Sequence, residues 1–253
     1  MFTINRYKHN PILQPDSRFS WQALATFNGC PIRIGRQTHL LFRALSLEQY
    51  SDIAKARLSY STIGHAVSND GCTFKDQRQF IVPEHSWERF GCEDPRVTEF
   101  EGMYYIFYTA LSTYPFSAQG IRVGLALSPD LKHISEKHPI TPFNAKAMTL
   151  FPDRVRGKMA AILSVDTDHP PVKTSIIYFD EPSQMWDPDY WHTWHRDIED
   201  CTLNLKREEN DHVEIGAPPV EVDAGWLLDR CLHLRWLPFS PVPDRGTVSL
   251  PLR

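Results

Sequence analysis

The sequence predicts an all-β fold built from repeated antiparallel sheets, as in a β-propeller. Three observations carry this. First, Gly64, Ala66, Ser68 and Asp70 recur as Gly124, Ala126, Ser128 and Asp130, one G-x-A-x-S-x-D frame repeated at an offset of 60 residues; fixed-period repetition of strand-like residues marks repeat architectures. Second, short β-branched or aromatic runs follow glycines at Gly35, Gly102, Gly157 and Gly225, the pattern of strands entered through tight turns. Third, helical periodicity is poor almost everywhere, and 20 prolines suit a loop-rich β chain. A β-sandwich also strings short strands between turns; the glycine-led repeats favour the propeller.

In chain order, the first predicted unit begins near residue 25 and holds the strand Thr38–Ala44 and the first G-x-A-x-S-x-D copy. The second begins near 93, with Tyr104–Ala110 and the second copy. The third begins near 148, with Met159–Val165 followed by a weaker copy, Thr174–Phe179. The fourth begins near 213 and leads into Trp226-Leu227-Leu228. About four blades are therefore present. Residues 183–200, with Trp186, Trp191 and Trp194, are expected as a short helix or a packed loop. Residues 1–228 are expected as the propeller domain and 229–253 as an atypical tail, since four prolines between 238 and 251 conflict with a central strand.

Composition narrows the function. A net charge of −4 with no basic block gives no electrostatic footprint for nucleic acid. No apolar run is long enough to span a bilayer, and Met1–Lys8 lacks the apolar core of a signal peptide. Five scattered cysteines without C-x-x-C pairs suit a reducing compartment. A cytoplasmic location is the expectation, with no membrane or nucleic-acid partner.

Several polar groups stand out. Glu93-Asp94-Pro95-Arg96 is an acid-rich turn before a strongly apolar strand. Pro95 biases Asp94 toward an extended conformation. A carboxylate there, with Arg96 two residues on, suits acid catalysis or polyol binding; a surface ion pair at an Asp-Pro turn is the plainer reading. Glu214, in an apolar stretch closed by Pro218-Pro219, is a candidate base if burial raises its pKa, or an edge-strand glutamate facing water. Lys146, Arg154 and Asp168 lie at the ends of the third unit's strands, where polar groups can line a funnel. His192 and His195 stand three apart, but no third ligand is spaced for a metal site. The EF-hand pattern, G-x-S-x-G, the P-loop and the dinucleotide fingerprint are absent. No metal or cofactor is expected.

Glu93-Asp94-Pro95-Arg96 followed by Tyr104-Tyr105-Ile106-Phe107-Tyr108-Thr109-Ala110, Leu150-Phe151-Pro152 with Gly157-Lys158, and Gly216-Ala217-Pro218-Pro219 with Gly225-Trp226-Leu227-Leu228 together resemble glycoside hydrolase family 130. The resemblance runs from about Asn10 to Leu228. It implies a five-bladed propeller acting on β-mannosides, either a β-mannosidase or a β-mannoside phosphorylase. It places the general acid on Asp94, acting through a sugar hydroxyl, and the base on Glu214. Asn28 and Arg43 match positions near the bound mannose; Arg96, Tyr108, Lys146, Arg154 and Asp168 complete the expected substrate contacts. The phosphorylases' His-Arg pair is replaced by Leu163–Asp168, and a phosphate histidine is not recognisable beyond Leu228. These departures resemble the predicted-glycosidase branch, so the sequence points to inverting hydrolysis of an oligosaccharide or other mannoside. Phosphorolysis, or a non-catalytic carbohydrate-binding propeller, is the alternative. Five blades need more chain than 253 residues, so the fifth is expected to be missing, as if by C-terminal truncation.

Overall fold

A computed structural model describes residues 7–169, 171–205, 212–223, 225–233 and 245–250. The all-β expectation holds: the described strands form an eight-stranded sheet, a three-stranded sheet, a four-stranded sheet and a two-stranded hairpin. The eight-stranded sheet consists of two antiparallel halves joined by one parallel bridge, Ser61–Gly91, and these halves are called the first and second sheets below. The first contains β1 (Ala25–Ile34), β2 (Gln37–Leu45), β5 (Ser61–Ser68) and β6 (Lys75–Ile81); a small hairpin, β3 (Gln49–Ser51) and β4 (Ala56–Leu58), projects from the β2–β5 connection. The second is the meander β7 (Gly91–Phe100), β8 (Met103–Leu111), β9 (Ile121–Ser128) and β10 (Glu136–Pro139). The third is β11 (Ala145–Leu150), β12 (Met159–Val165) and β13 (Lys173–Phe179), followed by α1 (Pro188–Arg196) and α2 (Ile198–Cys201). The fourth pairs β14 (His212–Ile215) and β15 (Val220–Val222) with one edge of β16 (Gly225–His233), and β17 (Arg245–Leu250) with the other. The four expected starts thus fall within three residues of β1, β7, β11 and β14.

The repeated motif has a steric cause. Gly64 pairs with Phe42, and a Cβ at Gly64 would lie 2.3 Å from the Phe42 ring. Gly124 pairs with Tyr108, whose ring would be 2.8 Å from such a Cβ. Each glycine therefore makes room for the aromatic side chain on the neighbouring strand. The third sheet substitutes both partners at once, Leu163 opposite Ser175, which is why its copy looks weak. The S-x-D half closes the following turn. Ser68 Oγ accepts from Gly71 N at 2.9 Å, and Asp70 accepts from Cys72 N and Thr73 N. Ser128 and Asp130 repeat this with Leu131 N, Lys132 N and His133 N. These are local side-chain-to-backbone turns; in this chain the motif is structural.

The sheets stack face to face. Leu41, Ile63, Ile106 and Ala126 fill the layer between the first and second sheets. Phe107, Leu125, Ile177 and Trp191 fill that between the second and third, with α1 sealing its edge. Phe151, Ile162, Val213 and Leu228 fill that between the third and fourth. Leu13 and Trp21 cover the outer face of the first, over Phe42 and Ala66.

Two expectations change. The proposed domain boundary at 228 falls inside β16, which continues to His233 and pairs with Arg245–Leu250. The apolar alternation of Trp226 and Leu228 carries the strand past the residue where the motif ends. Residues 234–244 and 251–253, which hold all four tail prolines, lie outside the described residues. Asp94 is not extended: its φ is +52°, because it is the extra residue of a bulge on β7 between Glu93 and Arg96. Aspartate tolerates the left-handed region better than most residues, and Pro95, lacking an N–H, leaves no donor unpaired at the bulge.

Candidate active site

The bulge on β7 has counterparts on two other strands that open their sheets. β1 bulges between Phe27 and Cys30 with Asn28 at φ +50°, and β11 bulges between Lys146 and Thr149 with Ala147 at φ +53°. These are the first strands of three successive sheets, and β1 contacts β7 as β7 contacts β11. The repeat therefore brings equivalent bulges together, and two of them carry polar side chains that meet. Asn28 Nδ2 donates to Asp94 Oδ1 at 2.8 Å.

Arg43 on β2 links the acids. Its Nη1 lies 3.4 Å from Asp94 Oδ1, its Nη2 donates to Glu93 Oε1, and its Nε donates to Ser61 Oγ at 3.1 Å. The guanidinium also sits 4.8 Å from the centre of the Phe27 ring, a favourable cation–π placement. Ser61 Oγ donates to Glu93 Oε1 at 2.9 Å. Ser61 is placed there because the first and second sheets touch at the Ser61–Gly91 bridge. Burial raises the Glu93 pKa, opposed by Arg43. The Asp94 side chain keeps 28% exposure against 14% for Glu93, so Asp94 is the more accessible acid.

Arg96 is a strut. Its Nη1 donates to Asp94 O at 3.0 Å, and its Nη2 and Nε donate to Ile215 O at 2.6 and 3.1 Å. One guanidinium thus fixes the β7 bulge to β14, directly beside half-buried Glu214. On the third sheet, Lys146 Nζ lies 3.0 Å from Asp168 Oδ1. Asn144 donates to Asp168 Oδ2 at 2.9 Å and Thr167 at 3.0 Å. Burial pushes the Asp168 pKa up, but these three partners outweigh it and leave the carboxyl below its ordinary value. Lys146 is close enough to Glu93 to lower its pKa, so this pair borders the same cluster.

The structure gathers Asn28, Arg43, Asp94, Arg96 and Lys146 with Asp168, and brings β14 beside them. It does not gather Tyr108 or Arg154. Tyr108 Oη donates to Glu88 Oε2 at 2.6 Å in a buried network between the first two sheets; Glu88 there also binds the Lys137 ammonium and accepts from Cys92 Sγ at 3.3 Å. Glu84, His85 and Glu88 place possible metal-ligand atoms within 4.8 Å of one another, but the Lys137 ammonium already bridges Glu84 and Glu88. Arg154 pairs with Glu101 at 2.8 Å over the Phe100 ring. That is the far end of β7, about 20 Å from Asp94 at roughly 3.3 Å per residue. His195 packs its ring on Phe143 with centroids 4.3 Å apart. Glu93 and Ser61 are the participants that sequence reasoning missed. Glu93 stood in the quoted motif; Ser61 carried no signal, because its place depends on the contact between two sheets.

A family model described as beta-1,4-mannooligosaccharide phosphorylase matches residues 6–233. A beta-1,2-mannobiose phosphorylase of Thermoanaerobacter sp. strain X514 is 27% identical over 234 residues, covering 90% of this chain and 72% of the relative. A 1,2-beta-oligomannan phosphorylase of the same organism is 28% identical over 229 residues, covering 90% and 71%. Among solved structures, the Listeria innocua beta-1,2-mannobiose phosphorylase superposes with a TM-score of 0.73 at 20% identity, covering 98% of this chain and 79% of that one. A member described among glycoside hydrolases that target beta-1,2 mannosidic linkages in Candida mannan superposes at 0.63 with 18% identity, covering 90% and 68%. At these identities the superpositions speak to fold. The family model spans most of the chain, and the protein belongs to glycoside hydrolase family 130.

Proposed function

We propose that this chain cleaves β-linked mannosides with inversion, that Asp94 supplies the proton and that inorganic phosphate takes the mannosyl group. The observation that carries the acid is the β7 bulge, which turns Asp94 out of the strand ladder and holds it between Asn28 and Arg43. The four sheets are read as successive propeller blades whose first strands face a common axis. The C1–O bond breaks as Asp94 protonates the leaving oxygen, directly or through a sugar hydroxyl. A phosphate oxygen bonds to C1 from the opposite face, giving mannose 1-phosphate of inverted configuration, and Asp94 regains a proton from the incoming phosphate or solvent. The phosphorylase relatives support phosphate over the water expected from sequence. Arg43 and Lys146 are the cations that border the acids and suit a dianion.

One observation favours hydrolysis instead. Arg43, Arg96 and Lys146 each have protein partners, so phosphate must displace an existing contact. Water then becomes the nucleophile, with Glu93 or Glu214 as base; an inverting pair leaves roughly 6.5–9.5 Å between carboxyls for it. Incubation with β-1,2-mannobiose, with and without phosphate, followed by NMR, separates the readings. Mannose 1-phosphate formed only with phosphate supports the first, and mannose at equal rates in both supports the second. Absence of turnover on β-1,2- and β-1,4-linked mannosides rejects both.

A further inference from the structure

β5 carries two sites on its two faces. Ser61 turns toward Glu93, so the next residue, Thr62, points to the opposite face. There a cleft of about 480 Å³ opens between the start of β5, the edge strand β6 and the segments around residues 20 and 48. Trp21 and Tyr60 supply aromatic wall, and Thr62, Gln79, Glu48 and Arg89 supply polar groups.

The cleft is built to keep hydrogen-bonding capacity. Gln79 Nε2 donates to Thr62 Oγ1 at 3.2 Å, which fixes the amide and leaves its carbonyl oxygen without a partner among the described residues. Tyr60 Oη donates to Ser51 Oγ at 2.7 Å, and Tyr60 N donates to Ser46 Oγ at 2.9 Å, so the phenol ring is held from both ends. The Trp21 ring is anchored against Phe42, with centroids 6.1 Å apart. Arg89 is exposed and has no ion-pair partner among the described residues. Glu48 reaches Arg57 at 3.5 Å with both side chains largely exposed. One acid and one free base leave the lining near neutral, which suits neither a phosphate nor a cation. Aromatic faces beside a fixed amide and hydroxyls suit a pyranose ring, whose C–H face is apolar and whose rim is hydroxylated.

We propose that this cleft is a second, non-catalytic binding site for a neutral oligosaccharide. That the sugar is a mannoside rests on the function proposed above; the cleft's preference for a neutral pyranose does not.

The test titrates the full-length Asp94→Asn chain calorimetrically with β-1,2-mannotetraose and, in parallel, with cello- and xylotetraose. The expected result is two mannotetraose sites per chain. Gln79→Ala and Arg89→Ala should each weaken one of them at least tenfold, while turnover of β-1,2-mannobiose by chains with native Asp94 stays within twofold. If mannosides are not turned over but any of the three sugars binds and loses affinity in Gln79→Ala, the cleft stands and the functional reading fails. Binding that neither substitution changes, or no binding of any of the three, overturns the proposal. Arg89→Ala guards against misfolding of the β6 variant, since Arg89 lies on the surface.

Discussion

Glu88 and Asp94 stand six residues apart, and each meets a cation from another strand, but their surroundings differ. Glu88 is fully buried; Lys137, Tyr108, Cys92 and the backbone N–H groups of Glu84 and His85 satisfy its oxygens. Asp94 sits at a left-handed bulge, its side chain is more than a quarter exposed, and among the described residues that side chain meets only Asn28 and Arg43. A carboxylate paired with a cation makes a sealed strut in one place and an accessible acid in the other. A buried network with every group paired fixes geometry, whereas an acid with a free oxygen lobe can reach a substrate. Acid–cation pairing alone therefore does not identify a reactive site; exposure and backbone conformation distinguish the two.

The comparison breaks most sharply at Glu88. Glu88→Ala takes the buried carboxylate from the buried Lys137 ammonium, leaving it the exposed Glu84 carboxylate and the Val82 carbonyl, and should cost about 3–5 kcal/mol in urea unfolding. A loss below about 1 kcal/mol would mean that water reaches this network and that the contrast with Asp94 is false. Gly64→Ala tests the packing of β5 on β2, the strands that carry Ser61 and Arg43. Its Cβ meets the Phe42 ring at 2.3 Å, and overpacking of this kind typically costs about 1–3 kcal/mol; unchanged stability would show that Phe42 moves freely.

Histidine gives a pH arm. Burial holds the His65 pKa at about 3, with Arg78 and His39 adding to the shift. Arg78 Nε donates to His65 Nδ1 at 3.2 Å, and the 2.9 Å contact to His39 Nδ1 then takes the His65 Nε2–H. Both rings are neutral in this arrangement. The unfolded chain takes up a proton below about pH 6.5 and the folded chain does not, so stability is full above that pH. It is lost as pH falls from about 6.5 toward 3, at up to about 1.4 kcal/mol per pH unit. His65→Gln should flatten the fall in the urea midpoint between pH 6.5 and 4; an unchanged slope assigns the loss to other groups. The smallest effect belongs to the turns. Ser128→Ala removes a hydroxyl that donates to His133 O at 2.6 Å and should cost about 1 kcal/mol, read as a modest drop in melting temperature with activity retained.

What was legible in the sequence was what local sterics dictate. The Gly64–Phe42 and Gly124–Tyr108 pairs and the Ser-x-Asp turns recur because each solves a short-range problem, so their spacing located the sheets. Asp94 was legible through its motif, but its conformation was not: the Pro95 rule argues from one neighbour, while the bulge comes from register with β8 and contacts with Asn28 and Arg43. Tyr108 and Glu93 show the same limit. Alternation says that a residue leaves the strand on one face or the other, but not that Glu88 accepts from the Tyr108 hydroxyl or that Ser61 arrives beside Glu93. Arg154 looked like a site residue because it lies near a strand end, and the chain alone does not say which end faces the bulges.

The most direct measurement compares wild type and Asp94→Asn on two substrates that differ in leaving group, β-1,2-mannobiose and 2,4-dinitrophenyl β-mannoside, each with phosphate present. A positioned general acid contributes about 10²–10⁴ in rate when the leaving group needs a proton. Asp94→Asn should lose that factor on mannobiose and less than about tenfold on the dinitrophenyl substrate, whose leaving group departs unprotonated, with the melting temperature of the wild type. Equal losses on both substrates, or full activity on mannobiose, would contradict the assignment of Asp94 as the proton donor.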